Sequence, residues 1–142
     1  MSEKILLVDD EPQFLEALSD RLDARGISVT AQTSAERALE LAKDKAFDAI
    51  VLDLQMPGMD GIETLRELKK LRPELQVIFL TGHASVDKGI EAMKLGAMDF
   101  LEKPADIDAL MEKIHKASAR KMVLMEERCR EKIQNLLAEK GW

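Results

Sequence analysis

Three carboxylates, a hydroxyl and an amine stand where apolar runs of this chain stop. Asp9 and Asp10 follow Ile5-Leu6-Leu7-Val8, and Asp53 follows Ala49-Ile50-Val51-Leu52. Thr81 closes the run that begins at Gln76, and Lys103 follows residues 99–102. If those runs are neighbouring parallel strands, the five side chains converge at one edge, outside the carboxyl ends of the strands, where open parallel sheets bind ligands. Two carboxylates about 4 Å apart repel by roughly 4 kcal/mol at an effective dielectric near 20. A cluster of three therefore binds a cation or shifts its pKa values. A small all-oxygen ligand set suits Mg2+ (or Mn2+), which keeps several waters and shares phosphate oxygens. The same inventory serves phosphoryl transfer. A carboxylate can attack as nucleophile and form an aspartyl phosphate, while a metal and a lysine neutralise the transferred oxygens and a hydroxyl donates to the product. Each residue also has an ordinary use. The acid pair can favour the start of a helix, Asp53 can belong to a turn, Thr81 to a loop, and Lys103 can simply be solvated. Their joint placement favours the chemistry.

The elements that must position them alternate. Unbroken apolar runs read as strands covered on both faces. Pro12 suits a first helical turn, with Phe14, Leu15, Leu18 and Leu22 at helical spacing and Gly26 closing the helix. Residues 27–31 form a short second strand. Thr33 with Glu36 makes a capping-box pattern that opens a second helix bearing Ala35, Ala38, Leu39 and Ala42. After the strand ending at Asp53, residues 56–61 are turn-rich, and Ile62, Leu65, Leu68 and Leu71 mark a third helix before Pro73. Residues 76–80 are a fourth strand. Val86, Ile90, Met93 and Ala97 are the apolar positions expected of a fourth helix, and residues 99–102 are a fifth strand. No Gly or Pro interrupts the chain from Asp106 to Gly141, so the last helix extends to about 34 residues, roughly 51 Å. That is more than one domain face covers, and the helix is expected to project. Strict alternation over five pairs predicts an α/β domain with a parallel sheet and helices on both faces.

The chain resembles the receiver domain of two-component response regulators. The resemblance rests on the Asp9-Asp10 pair, on Asp53 within Val-Leu-Asp-Leu-Gln-Met-Pro-Gly-Met-Asp-Gly, on Thr81-Gly-His and on Phe100-Leu-Glu-Lys103-Pro. It covers Lys4 to about Lys116, with all four elements in order. It implies a flavodoxin-like doubly wound five-stranded sheet of order 2-1-3-4-5. It implies that Asp53 is phosphorylated by a sensor histidine kinase or a phosphotransfer protein. Asp10 would ligate Mg2+ directly and Asp9 mostly through water, with Asp53 and the backbone carbonyl of Gln55 completing the protein ligands. Thr81 would close onto the phosphoryl group, Lys103 would pair with it, and Phe100 would swing inward with Thr81. The side chains of Gln55 and His83 stand where the family tunes phosphoryl lifetime. The Lys103–Pro104 peptide would be cis. The surface of the fourth helix, fifth strand and last helix would then carry the signal to a partner, a dimer mate or an output domain. Such a domain is a phosphoacceptor rather than an enzyme.

Composition agrees with these expectations. The 142 residues carry a net charge of −6, 46% hydrophobic residues and 34% charged ones. That suits one compact domain and lacks the basic footprint of non-specific nucleic-acid binding. No apolar run reaches membrane-spanning length, and Met-Ser-Glu-Lys-Ile does not open a signal peptide. The lone Cys129 cannot form an internal disulfide, which points to a cytoplasmic setting. His83 and His115 lie far apart in sequence, which argues against a zinc site. The receiver is expected over residues 1–116 and a helical extension over 117–142. Residues 117–142 carry 6 Lys and Arg against 4 Asp and Glu, whereas the remainder is strongly acidic. Met122, Met125, Cys129, Ile133, Leu136 and Leu137 form an apolar stripe at helical spacing. A homodimer through this helix or through the surface named above, packing back on the domain, and a linker to an output domain all fit such a stripe. Two other classes fit less well. An aspartate-nucleophile phosphatase would want an acid where Gln55 stands, and a flavodoxin-like cofactor binder would want a Gly- or Ser-rich phosphate loop where Asp-Asp-Glu-Pro stands. A receiver that signals without phosphate would leave acceptor and metal residues without a purpose.

Overall fold

The computed structural model describes residues 3–56, 58, 60–82 and 86–139. Five strands, β1 (Lys4–Val8), β2 (Ser28–Gln32), β3 (Ala49–Asp53), β4 (Val77–Thr81) and β5 (Asp99–Glu102), alternate with α1 (Pro12–Ala24), α2 (Ala35–Asp44), α3 (Gly61–Leu71), α4 (Val86–Lys94) and α5 (Ile107–Glu139). All pairings are parallel, in the order β2-β1-β3-β4-β5, which is the flavodoxin-like order.

The continuous apolar runs become the central strands. β3 and β4 are buried at every position, whereas β2 and β5, at the edges, are half-exposed. Alternate side chains feed two cores. Leu6, Val8, Ile50, Leu52, Val77 and Phe79 pack with α2, α3 and α4. Ile5, Leu7, Ala49, Val51, Ile78 and Leu80 pack with α1 and α5. The two-residue alternation of a strand is what sends successive side chains to opposite layers.

Local chemistry sets the helix starts. Pro12 occupies the first turn of α1, where its missing N–H costs nothing. Asp60 caps α3 by accepting from Glu63 N at 2.8 Å. α2 is capped by Ser34, not by Thr33, because the Ser34 hydroxyl accepts from Arg37 N at 3.1 Å. The second strand likewise sits one residue later than its sequence pattern, because Ile27 is taken by the α1–α5 core.

α4 departs further from expectation. Its inward positions are Gly89 and Ala92, while Ile90 is 48% and Met93 39% exposed. Small residues let this helix lie close against β5, and the large apolar side chains face outward. Val86 lies outside what the structure describes in side-chain detail. Leu71, placed on the buried face of α3 by its spacing, is exposed at the helix end.

α5 is one uninterrupted helix of 33 residues. Leu110, Ile114 and Ala117 are buried against the sheet. Two further bonds fasten it beyond that point. Lys121 Nζ donates to the Phe47 carbonyl at 2.9 Å, and Arg128 Nη1 pairs with Glu74 Oε2 at 2.7 Å. Phe47 and Glu74 precede β3 and β4, so these anchors lie at the end of the sheet opposite Asp53 and Thr81. From Cys129 to Glu139 every residue is exposed.

Candidate functional site

The chain folds its acids together because β1 and β3 are neighbours in register, with Val8 opposite Leu52. The next residues, Asp9 and Asp53, therefore leave the sheet side by side. One carboxylate oxygen from each of Asp9, Asp10 and Asp53 lies within 4.8 Å of those of the other two. Asp9 and Asp53 are buried, and Asp10 is the most open of the three. Asp9 Oδ1 accepts from Glu11 N at 2.9 Å, and Asp53 Oδ1 accepts from Gln55 N at 3.3 Å.

Lys103 enters the cluster from the end of β5. Its Nζ is 2.8 Å from Asp9 Oδ2, 3.5 Å from Asp53 Oδ2 and 3.8 Å from Glu11 Oε1, and it lies 4.5 Å from the centroid of the Phe14 ring. Burial pulls the ammonium pKa down. The hydrogen bond to Asp9 and the charges of Asp53, Asp9 and Glu11 more than offset this, so it lies above the ordinary lysine value. Burial pushes the Asp53 carboxyl up to about 6 from an ordinary 3.8. Lys103 opposes the rise, Asp9 adds to it, the Gln55 N–H opposes it, and Asp10 adds a further increment. A carboxylate held this unfavourably, among like charges, is one that a cation would stabilise.

Thr81 sits on the other layer, continuing the row of Val77 and Phe79. Its hydroxyl is buried and has no hydrogen-bond partner among the described residues. An unpaired buried hydroxyl costs about 1–3 kcal/mol, which an acceptor bound at this edge would recover. Thr81 is tied to Lys103 through the backbone, since Lys103 N donates to the Thr81 carbonyl at 2.7 Å. Phe100 is half-buried and packs against the α2–α4 core. The Lys103–Pro104 peptide is cis. The Gln55 side chain is exposed, and His83 lies outside the described residues.

The structure thus brings Asp9, Asp10, Asp53 and Lys103 into one cluster, with Thr81 at the same edge and Phe100 three residues before Lys103 on β5. Glu11 and Phe14 join the cluster without any signal in the sequence that marks them. Phe14 carries the periodicity of a core residue, and only the approach of Lys103 separates it from one. His115 is exposed and pairs with Glu3, remote from the acids.

The donor set fits a hard divalent cation. It is all oxygen, carries three formal negative charges against one lysine, and is partly open to solvent through Asp10. What the arrangement can do is hold Mg2+ beside a carboxylate, with a cation and a hydroxyl donor positioned to receive new negative charge.

Comparison with known proteins points to one family. The family model described as response regulator receiver domain matches residues 5–115. The C4-dicarboxylate transport transcriptional regulatory protein DctD of Pseudomonas aeruginosa is 40% identical over 88% of this chain, which spans 27% of that protein. The crystal structure of a response regulator receiver domain protein from Clostridium thermocellum superposes with a TM-score of 0.82 at 36% identity, covering 86% of this chain and 98% of that one. Full-length FixJ from B. japonicum gives a TM-score of 0.82 at 33% identity, covering 98% of this chain and 70% of that one. The chain spans about a quarter of the length of most of the curated relatives it matches.

Proposed function

This chain belongs to the response regulator receiver domain family, and from that premise we propose that it is a Mg2+-dependent phosphoacceptor whose acceptor is Asp53. The observation that carries the reading is the convergence of Asp53 with Asp9, Asp10 and Lys103 at the edge where the buried Thr81 hydroxyl has no partner among the described residues. An Asp53 oxygen attacks the phosphorus of a phosphohistidine on a kinase or phosphotransfer protein. The O–P bond forms as the N–P bond breaks, and the imidazole leaves with the electron pair and takes up a proton. Asp9, Asp10, Asp53 and the Gln55 carbonyl would hold the metal, which supplies positive charge to the transferred oxygens. Lys103 supplies the second cation from its present place beside Asp53.

The phosphoryl group places about −1.5 to −2 charges where the carboxylate held −1, and brings three acceptor oxygens to this edge. Thr81 is the buried donor at this edge without a partner among the described residues, and it moves toward the phosphoryl group. Phe100 then takes the space behind it, and the outward apolar side chains of α4, together with β5 and α5, change the face they offer. The device is a two-state equilibrium that the phosphoryl group biases. The chain is a signalling acceptor and not a turnover catalyst. It works in the cytoplasm, where its readers are an output domain, a partner protein or a second copy. Residues 1–116 form the receiver and 117–142 its helical extension. Among the described residues no helix is long and apolar enough to cross a membrane.

Intact mass after incubation with Mg2+ and a small-molecule phosphodonor tests this reading. One added phosphoryl group is expected, and none on the Asp53→Asn variant. Either of two results overturns the assignment: an adduct of equal yield on the variant, or no adduct together with no Mg2+-dependent beryllofluoride binding by the folded protein.

A further inference from the structure

α4 carries a glycine where its buried side meets β5. Gly89 lies mid-helix and is buried, and a Cβ built on it would stand 3.5 Å from Cδ2 and Cε2 and 3.6 Å from Cγ of Phe100. Those are ordinary van der Waals distances. They contrast with Gly61, where a Cβ would meet the Leu54 carbonyl oxygen at 2.8 Å and its Cα at 2.9 Å. Glycine is sterically required at position 61 and is not required at position 89 for the conformation seen here. Apart from proline, glycine is the weakest residue in a helix interior, so α4 gives up stability at this position without a packing reason. What the missing methyl leaves is room beside one face of the Phe100 ring. Ala92, the next inward residue, is small as well and fully buried.

We propose that Gly89 is a positioning residue for Phe100, and that the absent methyl sets how easily the ring leaves its present position when Thr81 moves. The proposal rests on the phosphoacceptor reading and adds a residue on α4 that regulates its output. An alanine at position 89 would touch three ring atoms in this conformation and lose those contacts once the ring shifts. Its higher helix propensity helps both conformers alike and cancels from their ratio. The ring contacts do not cancel, so they hold the switch in the state described here.

The test is a double-mutant cycle on beryllofluoride affinity, measured by calorimetry in saturating Mg2+, for the wild type, Gly89→Ala, Phe100→Leu and the double variant. Gly89→Ala is expected to weaken beryllofluoride binding about two- to fivefold when Phe100 is present and to leave it unchanged in the Phe100→Leu background. Thermal denaturation without ligand is run alongside. A purely structural effect of alanine raises the midpoint in both backgrounds and leaves the affinity ratio alone. Unchanged or tighter binding by Gly89→Ala, or an equal change in both backgrounds, overturns the proposal while wild-type binding keeps the phosphoacceptor reading intact. Absence of binding by the wild type itself removes that reading, and this inference with it.

Discussion

Burial dominates the Asp53 carboxyl and holds its pKa at about 6 against an ordinary 3.8. A carboxyl whose folded pKa is raised contributes stability that is complete below the unfolded value and is lost as pH rises through the folded one. Without a divalent cation, the protein therefore loses stability relative to Asp53→Asn as pH climbs from about 4 through about 6. At pH 8 the variant should be more stable by about 1–3 kcal/mol, since a rise from 3.8 to about 6 corresponds to about 3 kcal/mol at most. Urea denaturation across that range in chelator measures the difference, and a gap that persists unchanged below about pH 4 would contradict this origin. Lys103 gives a prediction of mixed sign. Its ammonium is the near partner of Asp9, which is fully buried. Lys103→Gln should cost about 2–4 kcal/mol in the metal-free protein, because it leaves a buried carboxylate uncompensated. The same change removes a competitor of the metal, so Mg2+ should bind roughly tenfold tighter, a difference of about 1.4 kcal/mol. A variant that loses both stability and Mg2+ affinity would show that Lys103 organises the acids and does not compete for them.

At the scale of elements, the strands are legible because each is an unbroken apolar run that stops at a polar residue. The run records burial on both faces, and its end marks the sheet edge. Hence Asp9, Asp53, Thr81 and Lys103 are readable as one set from the sequence. The helices are legible less completely. Periodicity says which residues share a face, not which face turns inward when both bear apolar side chains. In α4 the large residues, Ile90 and Met93, suggest the core, but they are exposed, and the small Gly89 and Ala92 take the inward side. Gly61 reads in the sequence only as part of a turn. Its hydrogen is packed against the backbone of Leu54, the residue after Asp53, and its N–H donates to the Leu54 carbonyl at 3.2 Å. Gly61→Ala should therefore destabilise the fold by about 1–3 kcal/mol, since rigid backbone must give way. It should also weaken Mg2+ binding, because the displaced segment carries Asp53. Chemical denaturation and metal titration check the two effects, and a variant as stable as the wild type would mean that the α3 start can shift without cost.

Across the whole molecule, the uninterrupted helix from residue 107 onward is legible from the absence of Gly and Pro, but its fastening is not. The receiver family model ends at residue 115, and the change in charge balance suggests the same boundary. The contacts run further. Ala117 is buried, Leu124 is half-buried, Lys121 holds the Phe47 carbonyl, and Arg128 meets a Glu74 carboxylate that is itself buried. A salt bridge 54 residues apart in sequence has no local pattern to announce it. Physically, the contacts that hold the folded unit extend to Arg128, about a dozen residues past the end of the family model. Ending the chain after Lys116 should therefore cost about 2–4 kcal/mol, from lost apolar burial and from a buried Glu74 left without its partner. Ending it after Glu131 should leave stability within about 0.5 kcal/mol of the whole chain, since residues 132–139 are exposed. Glu74→Gln should recover part of the loss in the shorter chain, because an amide is cheaper to leave unpaired than a carboxylate, and should lower stability in the longer one. Thermal and urea unfolding of the two truncations, each with and without Glu74→Gln, separate the cases. Equal stability of both truncations would mean that the extension rests on the domain without holding it.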